Sequence, residues 1–437
     1  MLLEFTVGNF RSFHEPQTLS MVAGKIKSKD PALDKNNIMQ QDKHPPLLTS
    51  AAVYGANASG KSNLVQALDF MRSFVLDSLK ETRATGGIDV EPFLLSTTTI
   101  TQPAHFEIVF IESGKQYRYG FEVTKERVTA EWLYFVPSTR EARLFEREGD
   151  KIEMGSYFRR EGRDLEQHTR PNALFLSVAA QFNGPIAQKL VKWFRKKLGI
   201  ISGLQDIAIR FYTMQQLLDG EYAAGIRELI CRLDLGISDL QATRMPRQSP
   251  SIPENMPDEM RRALLLLWDA SDEEQLAVQT VHKQFNENGV PVDDISFQLS
   301  KQESAGTQKL FAMAGPLLDT LHGRDVLVVD ELDARLHPLL AREIIALFHN
   351  KAVNRHGAQL IFTTHDTNLL DNTLLRRDQI WFVEKDRQGA SHLYSLAEFR
   401  VRNDLDYERG YIQGRFGAVP YLSHIDTIIG EMDAPLA

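Results

Sequence analysis

A single cysteine, Cys231, stands among 437 residues, which excludes disulfides and cysteine-based zinc sites and points to a reducing, intracellular setting. Long apolar runs are missing too. The longest, Ala263 to Trp268, falls far short of the ~20 residues a membrane-spanning helix needs. The opening MLLEFTVGNFRSF reaches Glu4 and Arg11 too early to hold a signal-peptide core. A soluble, cytoplasmic chain with no membrane role is therefore expected. Charge of one sign is also scarce. With 50 Lys+Arg against 58 Asp+Glu the net charge is −8, which argues against phosphate binding over the whole surface but permits a local nucleic-acid groove. At 43% hydrophobic the chain is too apolar to be disordered, and its length allows several compact units of roughly 100–200 residues. No internal repeat and no sustained heptad pattern is present, which excludes a long coiled-coil arm.

What is present has a clear order. Leu2 to Val7 reads as a strand, and a polar stretch closed by Pro45-Pro46 follows as a loop. Thr49 to Tyr54 is a short strand of small and β-branched residues running into a glycine-rich turn, after which Leu64, Leu68 and Met71 recur at helical spacing. From about Pro92 to Glu148 the segments HFEIVF, YRYGFEV, VTAEWLYF and ARLFERE alternate apolar and polar residues between turns, the pattern of an antiparallel meander. From Leu174 to Ala277 helical patterns take over, as with Ile226, Leu229, Ile230 and Leu233, broken by a proline-rich hinge from Pro246 to Pro257. Beyond Gln308 helices alternate with the buried strands DVLVVDE and QLIFTTHD, which implies a parallel sheet.

The turn after the early strand is Gly55-Ala56-Asn57-Ala58-Ser59-Gly60-Lys61-Ser62, a full G-x-x-x-x-G-K-[ST] loop in its strand–loop–helix context. Glycines at its first and sixth positions let backbone N–H groups face a phosphate, with the helix N-terminus adding positive potential. Lys61 is expected to reach the β/γ-phosphates and the Ser62 hydroxyl to bind Mg²⁺. The strand Asp325 to Glu331 ends in two adjacent acids, at the sheet edge where ligands of open α/β sheets bind. Asp330 is expected in the Mg²⁺ shell and Glu331 as the general base for the attacking water. His365, ending QLIFTTHD, is placed to reach the γ-phosphate from the same edge. Ser304 and Gly306, just before a helical stretch, are placed to cap that helix and leave N–H groups for an anion. A basic run, Lys189, Lys192, Arg195, Lys196 and Lys197 around Trp193 and Phe194, reads as a solvated helix face that could also meet DNA or RNA.

With these pieces in order the chain resembles an ABC-type ATPase of the SMC/RecF/OLD-like branch. NFRSF, from Asn9 to Phe13, resembles that branch's N-terminal strand-end motif, which implies that Arg11 approaches the nucleotide phosphates. Gly55 to Ser62 with Asn63 resembles its Walker A. Ser304-Ala305-Gly306 resembles its signature motif, in the form ESAGTQ rather than LSGGQ. Asp330-Glu331 is similar to the Walker B pair, Leu332-Asp333 to the D-loop and His365 to the switch histidine; Gln181 is the nearest candidate for the Q-loop glutamine. The resemblance implies an α/β fold, a P-loop ABC-type ATPase head with an antiparallel β meander and a helical insertion lobe. It divides the chain into an N-terminal ATPase half (1–90), a β subdomain (91–173), a helical lobe (174–298) and a C-terminal ATPase half (299–437). It further implies ATP and Mg²⁺ as cofactors and an ATP-dependent homodimer or larger assembly, in which one copy's signature motif completes the other's site.

DELDARLHP and the segment from Glu384 to Pro420 look most like ATPase subunits of bacterial abortive-infection and anti-phage systems of the RloA/AbiL-like kind. That implies a separate effector, a nuclease or toxin encoded nearby, because the residues after His365 are too few for the nuclease domain that follows the ATPase in OLD proteins. The alternative is a RecF-like DNA-repair ATPase acting directly on DNA. A transporter's ATPase subunit fits poorly, for want of a full LSGGQ and a clear Q-loop.

Overall fold

The computed structural model describes residues 1–41, 43–80, 86–202, 206–233, 236–245, 275–323, 325–400, 402 and 405–420. The proline-rich hinge and the Ala263–Trp268 run lie outside the described residues. In chain order the strands are β1 (Leu2–Gly8), β2 (Gln17–Ser20), β3 (Ile38–Met39), β4 (Leu47–Leu48), β5 (Ser50–Tyr54), β6 (Ala104–Glu112), β7 (Lys115–Val123), β8 (Val128–Phe135), β9 (Ala142–Glu148) and β10 (Lys151–Met154). They continue as β11 (Leu198–Ile201), β12 (Asp239–Met245), β13 (Gln275–Phe285), β14 (Pro291–Gln298), β15 (Val326–Val329), β16 (Gln359–Thr363), β17 (Ile380–Lys385) and β18 (Ser391–Ser395).

Two compact units result, one formed by Met1–Leu204 with Thr320–Ala437 and the other by Gln205–Asp319. The first holds two large sheets and the short pair β3–β4. The expected meander is a seven-stranded antiparallel sheet ordered β10-β9-β8-β7-β6-β1-β2, so the N-terminal strand joins it rather than the nucleotide-binding half. Its alternating side chains bury Phe106, Ile108, Tyr119 and Phe121, which pack with Phe74 from helix Lys61–Asp77. The second sheet is ordered β11-β15-β16-β5-β17-β18, parallel except at β18. Strands β5, β15 and β16 are buried along their whole length, as the unbroken runs SAAVY, VLVV and QLIFT require of a sheet covered on both faces. This puts the C-terminal ends of β5, β16 and β15 side by side.

The second unit corrects the helical reading of 174–298. Helices Asp206–Asp219 and Ala223–Arg232 are there, the latter burying Ile226 and Ile230, but β12, β13 and β14 form an antiparallel sheet. Alternation in QLAVQTVHKQF, with its β-branched Val and Thr, is the cause. Moreover, helices Phe175–Gln181 and Pro185–Lys196 belong to the first unit, and β11 extends its parallel sheet beside β15.

Candidate functional site

The glycine loop leaves β5 and enters helix Lys61–Asp77. Its glycines are obligatory for space as much as for conformation. A Cβ on Gly55 would meet the Val383 carbonyl at 2.3 Å, and one on Gly60 would meet Ser391 Oγ at 2.3 Å while its φ of +117° lies where side chains are strained. Lys61 is buried, with Nζ donating to the carbonyls of Gly55 (2.8 Å) and Ala56 (3.0 Å). Asn63 Nδ2 donates to Ser12 Oγ (2.7 Å), which lies 2.8 Å from Ser391 Oγ, and Ser391 Oγ donates to the Ser59 carbonyl (2.6 Å). Ser12 and Ser391 therefore brace the loop from outside it. Ser12 lies within NFRSF, but no local sequence signal marks Ser391, whose partners lie far away in the chain. Asn57 is exposed at the loop's tip and Ser62 half-buried.

At the end of β15, the Asp330 amide donates to Ile201 O (2.8 Å) and the carboxylate Oδ1 accepts from Thr363 Oγ1 (2.5 Å). The Glu331 amide donates to that same Oγ1 (2.7 Å), and Glu331 itself sits at φ +51° with its residue exposed. The Leu332 amide donates to Thr363 O (3.0 Å), and the His365 amide to Asp333 Oδ2 (3.4 Å). The two turns act on one another electrostatically. Burial lowers the Lys61 amine to about 8, opposed by the charges of Asp330, Glu331 and Asp333. Burial, and then the Lys61 charge, hold the His365 imidazole below its ordinary range, so it is neutral at pH 7 with one N–H and one lone pair. Lys61, Asp330, Glu331, Asp333 and His365 thus gather at one sheet edge.

The N-terminal motif is a tight turn, with Phe10 bridged to Phe13 and Asn9 Nδ2 donating to the carbonyls of Thr99 and Gln102 (both 2.9 Å). Arg11 donates to Gln66 on the loop's own helix and lies 3.6 Å from Glu91. Ser304 precedes helix Ala305–Gly323 in the second unit, its Oγ accepting from the Thr307 amide (3.1 Å), and Gly306 lies in that helix's first turn. Gln181 lines a groove of about 600 Å³ with Val75, Leu79, Lys192 and Arg195. In the basic run Trp193 and Phe194 are core residues, Trp193 stacking on Phe110 at 4.1 Å, so they offer no face for base stacking.

Glycines that leave no room for a Cβ, an inward lysine and a helix N-terminus suit a triphosphate. The hard oxygens of Ser62 and Asp330, the latter with only Oδ1 taken by Thr363, suit Mg²⁺.

The sequence profile of the family described as "AAA domain, putative AbiEii toxin, Type IV TA system" matches residues 50–193 and 247–371. A search of curated proteins found no match. Among solved structures, the SmcHead bound to the C-winged helix domain of ScpA is 14% identical, with TM-score 0.41, covering 90% of this chain and 97% of that one. The recombination mediator protein RecF-ATPrS is 14% identical, with TM-score 0.34, covering 90% and 98% respectively.

Proposed function

The chain belongs to this AAA-domain family, and from that premise we propose that it is an ABC-type ATPase whose nucleotide-driven dimer controls a separate effector in an anti-phage defence system. The observation that carries the reading is the convergence of Lys61 with Asp330, Glu331, Asp333 and His365 at one sheet edge. Lys61 exchanges its two loop carbonyls for phosphate oxygens as nucleotide enters. Ser62 and Asp330 would hold Mg²⁺, which would supply charge neutralisation for the nucleotide's phosphates. Glu331, outside the buried strand, takes the proton of the attacking water. Neutral His365 orients that water or the γ-phosphate through its N–H. Ser304 and the start of its helix, from a second copy, supply the opposing donors, so two copies share two sites. The family's description, a putative AbiEii toxin of a type IV toxin–antitoxin system, supports the defence setting.

The test is hydrolysis of ATP by purified protein with Mg²⁺, together with light scattering of Glu331→Gln with and without ATP. Turnover by wild type and a nucleotide-dependent dimer in the variant are expected. Absence of both nucleotide binding and self-association would end this reading. Phage challenge of cells carrying the adjacent reading frame, with wild type or Glu331→Gln, tests the effector, and equal protection would remove ATP turnover from the defence role.

A further inference from the structure

We propose that Thr363 is a positioning residue for hydrolysis: one hydroxyl, fixed in the central sheet, sets both the metal-binding and the water-activating carboxylates. The inference rests on the ATPase reading and adds to it a residue outside every motif in the sequence. An amide can only donate, so Thr363 Oγ1 accepts from the Glu331 N–H at 2.7 Å. Its single proton then goes to Asp330 Oδ1 at 2.5 Å. The bond to Asp330 is buried and the one from Glu331 partly so, with Thr363 only 1% exposed.

The hydroxyl is itself immobile. Thr363 lies in β16 between β15 and β5, in register with Val53, and its carbonyl accepts from Leu332 at 3.0 Å. A β-branched side chain on such a strand has little χ1 freedom, so Oγ1 is set by the sheet rather than by a loop. The demand for it is visible in Glu331, held at φ +51°, a left-handed conformation that costs a non-glycine residue roughly 1–2 kcal/mol and persists only when its surroundings over-determine it. The Thr363 acceptor supplies that restraint on the amide of the strained residue. The same contact leaves Asp330 Oδ2 for the metal. Without the hydroxyl Glu331 relaxes toward the right-handed region and Asp330 regains rotamer freedom, so metal affinity and base geometry fail together.

The experiment compares Thr363→Val, which keeps shape and removes the hydroxyl, with Thr363→Ser, which keeps the hydroxyl. For each, kcat, ATP affinity and the Mg²⁺ concentration for half-maximal turnover are measured beside wild type and Glu331→Gln. Expected for Thr363→Val are a ten- to hundredfold lower kcat, a Mg²⁺ midpoint raised about tenfold or more, and ATP affinity in the absence of metal within threefold of wild type. Thr363→Ser should restore kcat and midpoint to within about threefold, a rescue that a purely packing role does not give. If Thr363→Val fails to fold, Thr363→Ala carries the same expectation, and failure of both to fold makes the hydroxyl structural and overturns the proposal. Wild-type kcat and midpoint in a folded hydroxyl-free variant also overturn it, while a silent Glu331→Gln keeps the ATPase reading. If wild type does not turn over, the ATPase reading falls and the positioning role with it; full-rate turnover by Glu331→Gln removes Glu331 as the base and overturns the positioning role alone.

Discussion

Two turns leave the same edge of one parallel sheet, on either side of β16, and each meets the same difficulty by a different route. The phosphate loop must bring its backbone close to neighbouring strands and take φ +117° at Gly60; glycine does both within the loop itself. The acid turn holds φ +51° at Glu331, a residue without glycine's freedom in that region. Its restraint comes from outside, through Thr363 on the neighbouring strand. One turn carries its own conformational solution, and the other borrows one.

The sharpest way to break this contrast is Gly60→Ala. The added methyl meets Ser391 Oγ at 2.3 Å and Ser12 Oγ at 2.8 Å and imposes a strained φ, so a fluorescent ATP analogue should bind more than a hundredfold more weakly. Near-normal affinity would mean that the loop opens on binding and that the glycine is not needed. Next in size is Glu331→Gln, which keeps the amide bond to Thr363 and removes only the base. Turnover should fall about 10²- to 10³-fold with ATP affinity retained, and turnover within tenfold of wild type would take Glu331 out of the chemistry.

Lys61 links the two turns and gives a milder effect. Its amine is lowered to about 8 in the nucleotide-free protein, and phosphates raise it on binding, so binding takes up a proton above that value. ATP affinity should be flat below pH 8 and fall by up to tenfold per unit above it, whereas Lys61→Arg, charged throughout, should bind with a flat profile. The sign for folding is the reverse: a folded-state value below the ordinary lysine range of about 10.4 means the unfolded chain binds more protons, so this group's contribution to stability rises between pH 8 and about 10.4. A pH-independent affinity in wild type would separate Lys61 from the phosphates.

The same contrast explains what was readable in the sequence. Gly55, Gly60, Lys61 and Ser62 could be found because the loop's constraints are satisfied within eight residues. Asp330, Glu331 and His365 could be found because acids and a histidine at the ends of buried strands are anomalous. Thr363 could not, since a threonine in a buried strand is an ordinary β former and its partners are 32 and 33 residues away. Ser391 could not either, since its partner Ser12 is 379 residues away. The sheet β12–β14 is legible in the alternation of QLAVQTVHKQF, whereas the helical period around Ile226 to Leu233 belongs to the helix Ala223–Arg232 before it.

The smallest predicted effect tests whether the phosphate loop is as self-sufficient as its glycines suggest. Ser391→Ala removes the donor to the Ser59 carbonyl and the neighbour of Ser12, while leaving every loop residue in place. A single hydrogen bond contributes about 1 kcal/mol, so ATP affinity should drop about fivefold with kcat little changed. Combined with Gly60→Ala, the same substitution deletes the nearest clash but leaves Ser391 Cβ at 3.0 Å and the strained φ, so binding should stay lost. Recovery in the double variant would make the glycine a matter of space alone, and the phosphate loop would then depend on its neighbours as the acid turn does.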